Sequence, residues 1–266
     1  MQDFSYHTHN NTQGIGDGKN SCEEMITRAE EIGFSEIGVS NHLIYNPNLP
    51  LIHPHDFNDF AKALDYAKKN IDEIRETASR HKIKVYAGFE VDYYPSAEWH
   101  KAFENIIKET KPDYLIGSTH NAMSKDEKHL INLWNISTPL DVQMKEYLAN
   151  YWQNTIDCIN SGYFTFIAHC DIATNLGLCK GAEWSEWLAK VAEALKSQKI
   201  PFEINTKGIH RCGRPCPDWP MIKDLIAAGV PTLISDDAHS VDMLGAYFAD
   251  VEAELAKIPN VKRFKF

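Results

Sequence analysis

Seven times along this chain a short run of strand character is followed by a longer stretch at helical spacing, and that alternation restricts the fold more than any other feature. The strand-like runs fall at residues 3–6, 36–40, 85–91, 114–118, 164–168, 201–204 and 231–234. Helical spacing follows at 22–32, 56–80, 98–108, 140–159, 183–197, 219–228 and 241–256, the first opened by Ser21 and Glu24 in capping-box spacing. Strands separated by helices pair in parallel, and so many units without a break in composition favour closure into a barrel over an open doubly wound sheet.

The loop after the first strand weakens the open-sheet alternative further. Its sequence, HTHNNTQGIGDG, lacks the GxGxxG spacing of a dinucleotide-binding turn. At 266 residues the chain suits one α/β barrel, so residues 1–266 are expected to form a single domain. Tyr45 to Pro54 reads as a loop rich in Pro and Asn, placed as a lid beside a site.

Hydrophobic residues at 43% and charged residues at 24% are ordinary globular usage. A net charge of −10 argues against nucleic acid or an anionic membrane as partner, because both select a basic footprint. No apolar run reaches the ~18 residues that span a bilayer, and the opening MQDFSYHTHNN does not read as a leader, so a cytoplasmic location is expected. The six cysteines show no CxxC pairing and are expected to be reduced thiols.

Twelve histidines are the chemical anomaly. Four pairs of metal-competent side chains stand at i, i+2 where an apolar run ends: His7/His9, Glu90/Asp92, His169/Asp171 and Asp237/His239. In extended chain such pairs face one side. His42 and His120 end two further runs, and Asp17 lies in the loop after the first. A lone histidine is ordinarily a hydrogen-bonded loop residue, but recurrence at strand ends changes the reading, since those ends converge on one face of a parallel barrel. His53 and His55 repeat the HxH spacing without a strand before them and are left out of the ligand set. Six histidines with Asp17, Glu90 and Asp237 exceed what one four-coordinate ion uses and suffice for two or three.

HTHN at 7–10, DG at 17–18, NH at 41–42, GFE at 88–90, STH at 118–120, AH at 168–169 and SDDAH at 235–239 together resemble the PHP (polymerase and histidinol phosphatase) family, in its stand-alone histidinol-phosphatase branch. The resemblance runs through nearly the whole chain and implies a distorted (β/α)7 TIM-like barrel with a trinuclear centre of zinc, iron or manganese. By it, His7, His9, Glu90 and Asp237 hold one ion; Glu90, His120 and His169 a second; and Asp17, His42 and His239 a third, with Glu90 as bridge. Asn41 stands where relatives often carry an acid. Asp92, Asp171 and Asp236 are left to orient metal-bound imidazoles.

After the sixth strand, NTKGIHRCGR brings Lys207, Arg211 and Arg214 to the barrel mouth, where a guanidinium fork suits a phosphate dianion. The expected reaction is hydrolysis of a small phosphomonoester, L-histidinol phosphate by the resemblance, through attack of a metal-bridging hydroxide on phosphorus. Glu90, Asp237 and His239 are the expected catalytic residues. Cys170, between His169 and Asp171, is expected to point into the core and not to act as nucleophile. A polyol, sugar or nucleoside phosphate is the alternative substrate, and an amidohydrolase or an inactive metal-binding scaffold the alternative class. The sequence leaves the oligomeric state open.

Overall fold

The structure is a computed structural model and describes residues 2–126, 128–180 and 184–266. Seven parallel strands stand side by side in chain order: β1 (Phe4–Ser5), β2 (Glu36–Val39), β3 (Lys84–Asp92), β4 (Tyr114–Ser118), β5 (Phe166–Ile167), β6 (Phe202–Asn205) and β7 (Thr232–Ser235). The curved sheet nearly closes. β1 and β7 meet through a bridge between Thr8 and Ala238, where His9 N donates to Ala238 O at 2.8 Å. Lower in the same seam the Gln2 side chain donates to Phe4 O at 2.8 Å and Ile234 O at 2.6 Å, standing in for the missing ladder.

Alternation along the strands divides two apolar layers. Ile37, Val39, Phe89, Val91, Phe202, Ile204 and Ile234 join the main core beneath the helices. Phe4, Tyr6, Tyr114, Ile116, Phe166 and Leu233 form a separate cluster within the barrel. Gly38 and Gly88 leave the space that Tyr114 fills, since a Cβ at either would run into its side chain, and Tyr114 OH donates to Tyr6 O at 2.6 Å. Phe266 closes this end, its ring centroid 4.6 Å from those of Tyr6 and Tyr86. One end of the barrel is thus an aromatic plug, and the buried histidines His7, His9, His120 and His169 gather at the other.

The expected helices form with local changes. The Ser21/Glu24 capping box opens Cys22–Glu31. The second helix is Phe60–Ala78 and starts later than its spacing suggests: Asp59 caps it, while Asp56–Phe57 pairs with a strand at His42–Tyr45. That strand also pairs with β3 at Glu90, so His42 begins a strand where the sequence reads it as ending one. The continuous helix expected at 241–256 is a short 3-10 turn at Val241–Met243 and a helix at Phe248–Leu255. Positive φ values at Gly245 (72°) and Tyr247 (61°) break it. The fifth helix is Ser185–Gln198, and Glu183 of the expected range lies outside the described residues. No helix among the described residues is long and apolar enough to cross a membrane.

Candidate metal centre

The inward positions at the C-terminal ends of the strands are polar and buried: Glu90 and Asp92 on β3, Ser118 on β4, Glu203 and Asn205 on β6, Ser235 on β7. Around them the loops after β1, β4, β5 and β7 deliver His7 and His9, His120, His169, and Asp237 with His239. Glu90, 1% exposed, is the hub. Its Oε2 lies 3.1 Å from His7 Nε2, 3.4 Å from His9 Nε2 and 3.1 Å from His42 Nδ1. Its Oε1 lies 2.9 Å from His169 Nε2 and 3.4 Å from His120 Nε2. Asp17 Oδ2 is 3.3 Å from His42 Nε2 and 2.8 Å from His239 Nε2. All nine sequence-predicted ligands therefore meet at one place.

Asp237 reaches the group through strained backbone. Its φ of 48° lies in the left-handed region, which costs a residue with a Cβ about 1 kcal/mol. That turn sets Oδ1 3.3 Å from His9 Nε2 and 3.7 Å from His7 Nε2, and puts the Asp237 carbonyl 2.8 Å from His239 Nδ1. On the other side, Asn41 accepts from Asn10 N at 2.8 Å and donates to Asn70 Oδ1 at 2.7 Å. Asn41 thus ties the HTHN loop to the helix Phe60–Ala78 beside the segment bearing His42.

Whether these residues fit metal ions is tested by their unmet hydrogen-bonding capacity. His7 Nε2, both ring nitrogens of His9, His42 Nδ1 and Glu90 Oε2 are buried without a hydrogen-bond partner. Such groups cost a fold ~1–3 kcal/mol each when left unmet, and several converging at one point is the arrangement that cations satisfy. The donor sets His9/Asp17/His42/His239, His7/His9/Glu90, His7/His169/Asp237 and His42/Glu90/His120 each offer atoms within 4.8 Å of one another. Imidazole with carboxylate suits zinc, iron or manganese.

Charge is balanced within the cluster. Burial disfavours a carboxylate at Glu90, yet His7, His42 and His120 override it and hold its pKa well below the usual range. Asp237 is lowered likewise, against burial, by Lys207 and His7. His42 is buried but drawn up to about 9 by Asp17 and Glu90. His9, buried beside His239 and His42, is pushed well down.

For His120 and His7 the ring nitrogen turned away from Glu90 is held by a carboxylate. His120 Nδ1 meets Asp92 Oδ1 at 2.5 Å, and Asp92 also accepts from Asn121 at 2.8 Å. This is the orienting role expected of Asp92. Asp171 and Asp236 do not share it. Asp171 pairs with Arg214 at 3.1 Å, and Asp236 accepts from Ser5 Oγ at 2.8 Å and Gly245 N at 2.7 Å.

The residue that sequence reasoning missed is Glu203. Its Oε2 is 2.8 Å from His7 Nδ1, and its Oε1 accepts from His169 N at 2.8 Å and Asn205 Nδ2 at 2.8 Å. The available signal was an acid at an inward position of the apolar strand PFEIN. Glu203→Gln is expected to weaken metal retention about 10–100-fold while the fold survives, because the imidazole of His7 loses its orienting acceptor. Competition against a graded series of chelators measures this, and retention equal to wild type would remove Glu203 from the site.

Above the cluster opens a cleft of about 410 Å³. Lys207 and Arg211, one turn apart on the short helix Lys207–Cys212, both line it. Lys207 Nζ is 3.1 Å from Asp237 Oδ1, and the Arg211 guanidinium lies 5.5 Å from the centre of the Trp134 ring. Arg214 follows Gly213 (φ 78°), turns to Asp171 and does not line the cleft. His53 and His55 flank the opening, and His210 does not. Cys170 is buried in the main core, as its place between His169 and Asp171 implied.

The family model for the PHP domain matches residues 5–207. A protein of Deinococcus radiodurans named "Probable histidinol-phosphatase" is 22% identical over 262 residues, covering 94% of this chain and 92% of that protein. One of the same name from Thermotoga maritima is 22% identical over 244 residues, covering 91% and 87%. The fold is shared with the crystal structure of histidinol phosphate phosphatase from Lactococcus lactis in complex with zinc, L-histidinol and phosphate. The TM-score is 0.69 at 19% identity, covering 98% of this chain and 95% of that one.

Proposed function

The chain belongs to the PHP domain family, and from that premise we propose that it is a cytoplasmic, metal-dependent phosphatase that hydrolyses L-histidinol phosphate to L-histidinol and phosphate. One observation carries the reading: nine imidazole and carboxylate groups converge, buried atoms of His7, His9, His42 and Glu90 lack a hydrogen-bond partner, and seven of the nine line a cleft that Lys207 and Arg211 also line. The names of the two curated relatives support the choice of substrate.

His7, His9, Glu90 and Asp237 would hold one divalent ion, Glu90, His120 and His169 a second, and Asp17, His42 and His239 a third. Such ions supply a water acidified to near neutral pH and neutralise phosphoryl oxygens. The protein's own contribution begins with Asp92 and Glu203, which fix the tautomers of His120 and His7 and so aim Nε2 of each at Glu90. Arg211 offers a fork of donors to the phosphate dianion from the rim, and Lys207 adds a point charge beside Asp237. Asp237 and His239 both face the cleft, with Oδ1 and Nδ1 3.4 Å apart, and the Asp237 carboxylate is placed to take the proton that the attacking water gives up and hand it to the departing alcohol. The buried thiols take no part.

Phosphate release from histidinol phosphate, compared by kcat/KM with polyol, sugar and nucleoside phosphates, tests the reading. Histidinol phosphate is expected to lead the panel by about tenfold or more, a margin of about 1.4 kcal/mol in transition-state binding. Two to three metal ions per chain are expected, with activity lost on chelation. A lead by another ester would move the substrate, and hydrolysis surviving complete metal removal would sink the mechanism.

A further inference from the structure

We propose that Trp134 selects the leaving group, by stacking its indole on a flat ring carried by the substrate alcohol; this rests on the hydrolase reading above. Trp134 is held on a rigid mount. An antiparallel hairpin, Asn121–Met123 with Leu130–Asn132, leads into the 3-10 turn Leu133–Asn135. Leu133 is 1% exposed and its N donates to His120 O at 2.9 Å, while Trp134 N donates to Asn132 Oδ1 at 3.1 Å. On this mount the indole remains 47% exposed. Among the described residues it is the one exposed large apolar side chain that lines the cleft.

The surroundings are matched to a flat partner. The indole centroid is 5.8 Å from that of His120, beside the metal cluster. Elsewhere on the cleft lining the His53 and His55 rings lie parallel within 3°, 5.3 Å apart, and His55 stacks in turn on His42. Asn132 and Asn135 add amide groups to the wall. Flat π faces with two amides suit a planar heteroaromatic ring that has its own hydrogen-bonding nitrogens. A flexible polyol would leave its hydroxyls facing rings.

The test pairs turnover with binding. W134A is expected to lose at least about tenfold more kcat/KM on histidinol phosphate than on glycerol phosphate, chiefly in KM, and W134F to keep most of that preference. Equal losses on the two esters in W134A would overturn the proposal. Independently of turnover, histidinol is expected to quench the fluorescence of wild type and not that of W134F; the same quench in both would also overturn it. Should wild type release phosphate from neither ester, the hydrolase reading fails and the histidinol titration still decides the role of Trp134.

Discussion

Replacing Glu90 with Gln is expected to lower kcat by about 10³-fold or more, a loss of about 4 kcal/mol in the barrier, and to remove at least one metal ion per chain. Five imidazoles surround this one carboxylate, with ring nitrogens between 2.9 and 3.4 Å from its oxygens. An amide preserves the shape, but one of its two ends becomes a donor without a free lone pair, so it cannot bridge two cations. The charge is lost as well. In the metal-free protein, removing one partner of a buried charge cluster costs about 3–5 kcal/mol, so the variant is also expected to unfold at lower temperature when stripped. Elemental analysis, steady-state rates and thermal unfolding of the same preparation separate the effects. Full metal content with activity within tenfold of wild type would show that Glu90 does not bridge.

Stripping the metals should change the pH dependence of stability between about pH 6.5 and 9. In the metal-free protein burial disfavours protonated His42, His7 and His120, but the neighbouring carboxylates raise all three above 6.5, His42 to about 9. A histidine raised on folding stabilises the fold fully below its unfolded value and loses that contribution as pH climbs through the folded value. His9 and His55, both pushed down chiefly by burial, titrate below this window and do not alter its slope. Nor do Glu90 and Asp237, held well below their usual range. The stripped protein should therefore lose about 5–10 °C of Tm across the window, the shift of His42 alone being on the order of 3 kcal/mol. Metal-loaded protein has no such protons to lose, so its Tm should stay level and the gap between the two forms should widen with pH. Parallel melting curves for both forms check this, and a stripped protein whose Tm rises from pH 6.5 to 9 would contradict the charge arrangement.

Much of this molecule could be read from the chain because its ligands are spaced by strand geometry. HTH, GFE and SDDAH each come at the end of an apolar run, and in a parallel sheet the ends of such runs lie on one face, so residues 230 positions apart are neighbours by topology alone. Spacing gave no warning where the chain leaves the barrel. The second strand breaks after Val39 and a new one starts at His42, held by pairing with β3 rather than by local preference. The hairpin that carries Trp134 is short, and its position depends on the backbone of His120.

The alternation that makes a barrel, the end at which its metal-competent side chains gather and the nine that meet there are legible in the chain, because strand period and strand-helix order repeat along it. Which groups support those nine, and which line the cleft above them, follows from contacts that form only on folding. Glu203 is an ordinary acid until the strand order sets it beside His7 and His169. Arg214 reads like Arg211 until a left-handed Gly213 turns it to Asp171. Trp134 is one tryptophan among six until the hairpin leaves its indole at the mouth. Each outcome depends on a partner distant in sequence, and hydrogen bonds and ion pairs of that kind have no period along the chain.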